Sequence, residues 1–253
     1  MYLERRIISG PILEIERSAC SQYGKVIGGR KRIGETGEKQ AEGNRKRAKR
    51  RFIRLLNCNF KKGDWHLIPT FAEIPTEAMA KNFFGRFLRN FNNYCIRHNL
   101  PKLKYMWVME HGETGRPHFH IVIPKMNISI NEISQLWGHG IVKLETLDGD
   151  TSYEWLARYL EKEWQEQDER KIKNARHWGA SRNLAQPIET EPKILKRKNL
   201  NKKPQLPKEY FLLDYRHGAN AFGWEYEYII AIRYDRKHEL PMDMQKLMEE
   251  GVA

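Results

Sequence analysis

The central part of the chain, residues 64–167, alternates short apolar segments of period two with longer segments of period 3.6, and this alternation restricts the fold more than any other feature. The first pattern is typical of strands and the second of helices. The predicted elements follow one another in the order β-α-β-β-α-β-α. This order predicts an α+β domain in which helices pack on one antiparallel sheet.

The apolar segments also set the boundaries of these elements. The predicted strands are 64–71, 104–111, 116–124 and 140–147, and the predicted helices are 75–99, 131–137 and 151–167. Aromatic residues recur at helical spacing within 75–99, so we expect them in the core rather than in a binding surface. Pro69 predicts an edge position or a bulge for the first strand, because proline cannot donate a ladder hydrogen bond.

Most of the basic charge lies in the first quarter of the chain. The net charge is +13; residues 1–63 contain 17 Lys or Arg against 6 Asp or Glu, whereas residues 64–190 contain 16 of each. Such a surplus favours a polyanionic partner. Six basic residues surround Ala48 on a predicted helix whose other face is apolar, namely Arg45, Lys46, Arg47, Lys49, Arg50 and Arg51. We expect this helix to bind phosphates; a solvated basic face is the open alternative.

The composition divides the chain into three expected parts. They are a basic arm and helix at 1–62, the α+β domain at 63–190, and a basic linker with a β-hairpin extension at 191–253. Alternating apolar and charged residues around Gly10 and Pro11 predict a short hairpin, and the glycine-rich residues 24–44 predict a flexible linker. A strand pair predicted within 210–235 is either an extra hairpin or an oligomer contact.

Cysteine usage and hydropathy indicate the compartment. The three cysteines form no CxxC pair, so we expect reduced thiols and a reducing environment. No apolar run reaches the ~18 residues of a transmembrane helix, and the first residues contain no secretory apolar segment. We therefore expect a cytoplasmic protein without a membrane partner.

The most specific local pattern is His118-Phe119-His120 in the third predicted strand. Side chains two apart on a strand share a face, so both imidazoles point the same way while Phe119 points into the core. Glu110 ends the preceding strand, where antiparallel pairing would bring it near His118. A carboxylate and two imidazoles can hold a divalent metal and leave coordination positions open for catalysis.

Three histidine patterns of known enzyme classes do not fit the sequence. A histidine-triad nucleotide hydrolase would need a third histidine where Val122 stands, a two-histidine phosphoesterase would repeat the motif, and HExxH is missing. A His-x-His in a strand is by itself most often coincidental, so a pair without function is the open alternative.

A second pattern lies in the last predicted helix, TSYEWLARYLEKEW. Helical geometry puts Tyr153 on the apolar stripe and Tyr159 at its boundary, with Lys162 beside Tyr159 at i+3. A tyrosine nucleophile has an unperturbed pKa near 10, so it needs a metal and a nearby cation to attack at neutral pH. A surface tyrosine with a neighbouring lysine is the open alternative.

Together these segments resemble the HUH endonucleases that initiate rolling-circle replication, in particular the replication-associated proteins of phages, plasmids and integrated elements. The resemblance covers residues 60–187. NFKKGDWHLIPTFAE resembles the family's first strand motif, KYMWVMEHGETGRPHFHIVI its glutamate and HUH strands, and WLARYLEKE its YxxK helix. HWGASRN and the basic helix before Phe60 also resemble family segments.

The resemblance implies a ferredoxin-like palm and a Mg²⁺ or Mn²⁺ held by Glu110, His118 and His120. It implies that Tyr159 attacks a phosphate of single-stranded origin DNA, becoming a 5′-phosphotyrosine and releasing a 3′-hydroxyl that primes a host polymerase. Lys162 would neutralise or orient. The host would be bacterial and would also supply the helicase, since the sequence has no GxxxxGK[ST].

The sequence departs from the family pattern in two places. Trp155 and Arg158 stand where two-tyrosine relatives carry their first tyrosine and lysine, so the chain resembles a single-tyrosine enzyme and resolution of the second strand transfer is in doubt. The usual Leu-Thr-Leu-Thr is replaced by residues 67–70, Leu-Ile-Pro-Thr, so only a framework role is expected for the first strand.

Two further arginines are candidate DNA contacts. Arg116 shares strand parity with His118 and could hold a phosphate beside the cut, and Arg182 lies in the SRN segment. Backbone contacts of this kind, and those of the basic helix, would depend steeply on salt. A transposase, a relaxase or a non-catalytic DNA-binding regulator remains an alternative function.

Overall fold

The structure is a computed structural model that describes residues 1–19, 38–111, 116–148, 153, 156–158, 178–196, 200, 204–219 and 223–233. Its helices are α1 (Glu38–Asn59), α2 (Glu77–Arg97) and α3 (Ile130–Trp137). Its strands are β1 (Tyr2–Ser9), β2 (Ile12–Ala19), β3 (Trp65–Pro69), β4 (Met106–His111), β5 (Pro117–Ile123), β6 (Val142–Thr146), β7 (Trp178–Ala180), β8 (Ile188–Glu189), β9 (Lys193–Leu195), β10 (Tyr210–Ala219) and β11 (Glu225–Arg233).

The chain forms two compact units, each with its own antiparallel sheet. One unit is continuous, Asn59–Ala185, and the other combines Met1–Cys58 with Gln186–Ala253. The part of the chain that we expected to form the α+β domain, residues 63–190, overlaps most of the continuous unit. The α+β class is confirmed.

The continuous unit has a five-stranded sheet in the order β6-β3-β5-β4-β7. Its first four strands and two helices follow the chain as β3-α2-β4-β5-α3-β6, which is the ferredoxin-like connectivity. Neighbouring strands are antiparallel throughout. All four strands predicted in this region are therefore confirmed, with β7 added at one edge.

Both helices of this unit contribute to one apolar core on a single face of the sheet. The stripe of α2 that the periodicity predicted is buried, with Phe84, Phe87 and Phe91 at most 3% exposed. Phe84 stacks on Phe119 of β5 with ring centroids 4.0 Å apart. The side chain of Thr76 accepts a hydrogen bond from the N–H of Met79 and so caps the start of α2.

Pro69 does not make β3 an edge strand, so that expectation was wrong. β3 pairs with β5 only over Trp65–Leu67, and beyond this point it pairs with β6 alone. Pro69 therefore lies at the strand's end, where one side of the backbone already lacks a partner strand. A proline is tolerated at such a position because no interior ladder bond is lost.

A glycine on β7 lets this strand approach the core, and its substitution should destabilise the unit. A Cβ on Gly179 would lie 2.7–3.0 Å from the indole of Trp107, whereas one on Gly85 in α2 would meet only Arg89 at 3.8 Å. We expect Gly179→Ala to lower the free energy of unfolding by about 1–3 kcal/mol because the indole must move. The matched Gly85→Ala should raise it by about 0.5–1 kcal/mol through helix propensity. Urea denaturation measures both, and equal stability of the two variants would contradict the packing described.

The other unit has a six-stranded sheet in which β10-β11-β2-β1-β8 follow one another and β9 also pairs with β1. The hairpin predicted around Gly10 and Pro11 is confirmed as β1–β2, and Gly10 has φ +57, as a two-residue loop with a leading glycine requires. The hairpin predicted within 210–235 is confirmed as β10–β11. It is not merely an extension, because β11 pairs with β2 from Tyr226↔Ser18 to Ile232↔Ile12.

Helix α1 belongs to the same unit and buries Phe52, Leu55 and Leu56. Arg54 of α1 donates to both carboxylate oxygens of Glu14, at 2.9 and 2.7 Å. The helix begins at Glu38, so the linker predicted for residues 24–44 ends earlier than expected, and residues 24–37 lie outside the described part of the chain. Among the described helices, none is long and apolar enough to cross a membrane.

Candidate active site

The register of β4 and β5 gathers three of the predicted site residues. Glu110 lies directly opposite His118, and Val108 lies opposite His120. Glu110, His118 and His120 therefore share one face of the sheet, while Phe119 points to the other face and into the core. The alternation of a buried apolar residue between two histidines is what aligns the imidazoles.

One carboxylate oxygen lies close to both imidazoles. Oε1 of Glu110 is 3.4 Å from Nε2 of His120 and 3.9 Å from Nδ1 of His118. The side chain of His118 is 29% exposed and that of His120 only 5%, so the cluster runs from the solvent into the unit. Within the described residues, no three His, Cys, Asp or Glu side chains form a complete metal-binding geometry.

A third histidine joins this cluster, although the sequence predicted only a framework role for its strand. Nε2 of His66 on β3 lies 3.0 Å from Nδ1 of His120, and the two rings stack with centroids 5.2 Å apart. Both residues are buried. The signal in the sequence is that His66 is the single polar residue of a strand whose neighbours Trp65 and Leu67 face the core. Parity alone could not show which strand lies beside it.

The second ring nitrogen of His66 reaches a carboxylate. Nδ1 lies 3.1 Å from Oε2 of Glu145 on β6, whose other oxygen lies 2.5 Å from Nζ of Lys143. Burial, together with the neighbouring His120, lowers the pKa of His66 to about 4, although Glu145 opposes the shift. His66 is therefore a neutral imidazole at physiological pH. The ammonium of Lys143 and the hydrogen bond from His66 hold the pKa of Glu145 below its usual value.

Tyr153 packs inside the protein, as its place on the apolar stripe predicted. It is 3% exposed, and its hydroxyl donates to the backbone carbonyl of Phe60 at 3.2 Å. The helix expected from residue 151 does not include it, because its φ is +44; residues 156–158 are helical. Tyr159 and Lys162 lie outside the described residues.

The basic helix presents most of its charge to solvent. Lys46, Arg47, Arg50 and Arg51 are exposed, while Arg45 and Lys49 are partly buried. Several also have partners within the chain. Lys46 pairs with Glu42, and Arg50 pairs with Glu16 at 3.1 Å and lies over the ring of Tyr228.

The two further arginines occupy different environments. Arg116 directly precedes β5 and is partly buried, and its Nε has no hydrogen-bond partner among the described residues. Arg182 lies in an exposed turn after β7. Neither is placed in contact with the histidine cluster by a described hydrogen bond or ion pair.

Comparison with known proteins relates this region to DNA replication. The model of the replication-associated protein ORF2 family matches residues 69–164, a range that contains Glu110, His118 and His120 but not His66. No curated protein and no solved structure matches the chain significantly. The family match supports initiation of DNA replication as the function of this chain.

Proposed function

We propose that the chain is an HUH endonuclease that initiates rolling-circle replication by nicking and rejoining single-stranded DNA at an origin. The observation that carries the proposal is the cluster of Glu110, His118 and His120 on one face of a ferredoxin-like sheet. The match to replication-associated proteins over the same residues supports it.

The donor set suits a divalent cation. Ligand atoms that share a six-coordinate Mg²⁺ lie about 3 Å apart at bond lengths of about 2.1 Å. The observed 3.4 and 3.9 Å from Oε1 of Glu110 to the two ring nitrogens are near that spacing. Rotation of the partly exposed His118 would close the longer distance. Bound there, Mg²⁺ or Mn²⁺ would polarise the scissile phosphodiester as a Lewis acid.

In the proposed reaction Tyr159 is the nucleophile. Its hydroxyl loses a proton as its oxygen bonds to phosphorus, and the bond from phosphorus to the 3′ oxygen breaks. The products are a 5′-phosphotyrosine and a strand that ends in a 3′-hydroxyl, which receives a proton. Lys162, one helical turn away, would stabilise the phenolate. The ester keeps the energy of the phosphodiester, so the strand can be rejoined without ATP.

The remaining basic residues would hold the DNA. We assign backbone contacts to Arg116 and Arg182 and sequence-independent attraction to Arg45, Lys46, Arg47, Lys49, Arg50 and Arg51. Arg50 should contribute least among the last six, since it already pairs with Glu16. A host helicase and polymerase would extend the released 3′ end.

Removal of divalent metal should stop cleavage. We expect the full chain, incubated with single-stranded DNA from its own replicon, to give a nicked product and a covalent peptide adduct in Mg²⁺ or Mn²⁺. EDTA should abolish both, and Mn²⁺ in excess should restore them, because the phosphate can no longer be polarised without the cation. Gel electrophoresis and mass spectrometry measure the two products. Cleavage at full rate in EDTA would rule out the metal assignment.

A further inference from the structure

A continuous line of hydrogen-bond contacts runs through the buried side of the candidate site. It begins at Oε2 of Glu145, passes through both ring nitrogens of His66, and ends at Nδ1 of His120. The two distances, 3.1 and 3.0 Å, are those of ordinary hydrogen bonds. The three residues come from β6, β3 and β5, which are neighbours in the sheet.

We propose that His66 and Glu145 are positioning residues that fix His120 in the tautomer with its proton on Nδ1 and its lone pair on Nε2. This inference rests on the proposed function, because it assigns the partners that hold one proposed metal ligand. It also gives β3 a role in the site beyond framework.

The proton positions follow from the carboxylate at the end of the line. An ionised carboxylate only accepts hydrogen bonds, so Nδ1 of a neutral His66 must carry the proton that faces Glu145. Nε2 of His66 then has a lone pair and accepts from Nδ1–H of His120. Nε2 of His120 is left with its lone pair, and this atom lies 3.4 Å from Oε1 of Glu110, beside the proposed cation position.

The opposite arrangement is less favourable on the same distances. A proton on Nε2 of His120 could point at Glu110, but the separation of 3.4 Å is long for a hydrogen bond to a carboxylate. It would also turn the lone pair of Nδ1 of His66 toward Glu145 at 3.1 Å. Two acceptors facing each other in a buried site cost free energy.

Burial gives the arrangement its rigidity. His66 is 2% exposed and His120 4%, and their rings are nearly parallel at 17°. The ring of His120 is thus constrained both by stacking and by its hydrogen bond. Histidines that bind metals commonly donate their second nitrogen in this way, and removal of the partner weakens metal affinity about 10- to 100-fold.

The tautomer can be measured without metal, DNA or activity. In the full chain labelled with ¹⁵N-histidine, we expect the long-range ¹H–¹⁵N spectrum to show the Nδ1–H form of His120. Glu145→Ala should convert His120 to a mixture of tautomers, and its side chain is 42% exposed, so the fold should tolerate the change. Glu77→Ala is the matched control, because Glu77 also pairs with a lysine at 2.5 Å but lies on α2. An Nε2–H form of His120 in the unsubstituted chain would overturn the proposal.

Metal affinity provides the second readout. We expect Glu145→Ala and His66→Leu to weaken Mn²⁺ binding by about 10-fold or more, as titration followed by electron paramagnetic resonance would show, and Glu77→Ala to leave it unchanged. His66→Gln should restore much of the affinity, since its amide oxygen can accept from Nδ1–H of His120. If His66→Gln and His66→Leu abolished binding as completely as His120→Ala, His66 would be a ligand and the positioning role would be wrong.

The two proposals fail in different ways. A chain that shows the Nδ1–H tautomer of His120 but forms no DNA adduct would retain the positioning role and lose the nuclease function. A chain that forms the adduct but shows an Nε2–H tautomer would retain the nuclease function and lose the positioning role.

Discussion

Tyr159→Phe is expected to abolish nicking and adduct formation while the chain still binds single-stranded DNA. The substitution removes one oxygen, which in the proposed reaction is the atom that bonds to phosphorus. Loss of a nucleophile typically lowers turnover by about 10⁴-fold or more, because no other group can replace it. Electrophoresis of a labelled origin oligonucleotide measures nicking, and a mobility-shift assay of the same samples measures binding.

Tyr153→Phe is the matched control for this experiment. The hydroxyl of Tyr153 donates to the carbonyl of Phe60 inside the protein, so it is already occupied in a structural bond. Its removal should cost about 1–2 kcal/mol of stability and leave nicking intact below the melting temperature. An adduct on Tyr153 would contradict this assignment. Unchanged nicking by Tyr159→Phe would instead favour another nucleophile, and absence of nicking in every variant would favour a DNA-binding regulator.

His120→Ala should have the second largest effect. In the proposed site it removes a metal ligand whose position is fixed by three neighbouring strands. Lewis-acid stabilisation of a phosphoryl transfer is worth several kcal/mol, so we expect nicking to fall by about a thousandfold or more. Raising the Mn²⁺ concentration should recover part of this loss, because weaker binding is then overcome by mass action.

His98→Ala controls for the loss of an imidazole elsewhere in the same unit. His98 lies at the exposed end of α2 and stacks on Tyr94, away from the sheet face that carries the cluster. We expect its nicking rate to equal that of the unsubstituted chain. A thermal melt of both variants separates lost chemistry from lost folding. If His120→Ala were folded and fully active, the ligand assignment would be wrong.

Local patterns predicted the parts of the structure that depend on local physics. The stripe of α2 and the alternation of β5 follow from helical and strand periodicity, and both elements lie where expected. The approach of Glu110 to His118 also followed from the sequence, because a short turn joins two strands and fixes their register. Each of these inferences needed only residues that are near each other along the chain.

Features that depend on distant pairing could not be predicted in this way. The role of His66 depends on β3 lying beside β5 in a register that puts His66 opposite Val122, two residues from His120. Period-two alternation shows which side chains share a face of one strand but does not identify the neighbouring strand. For the same reason the pairing of β11 with β2 was not foreseen.

The pairing of β11 with β2 affects the order in which the protein can form during synthesis. Residues 59–185 contain every strand and helix of their own unit, so that unit can fold as soon as it leaves the ribosome. The sheet of the other unit must wait until residues 225–233 emerge, and until then one edge of β2 has no neighbour. An exposed edge of this kind can pair with another chain. Nascent chains released before residue 225 should therefore aggregate through β2, even though their nuclease unit is complete.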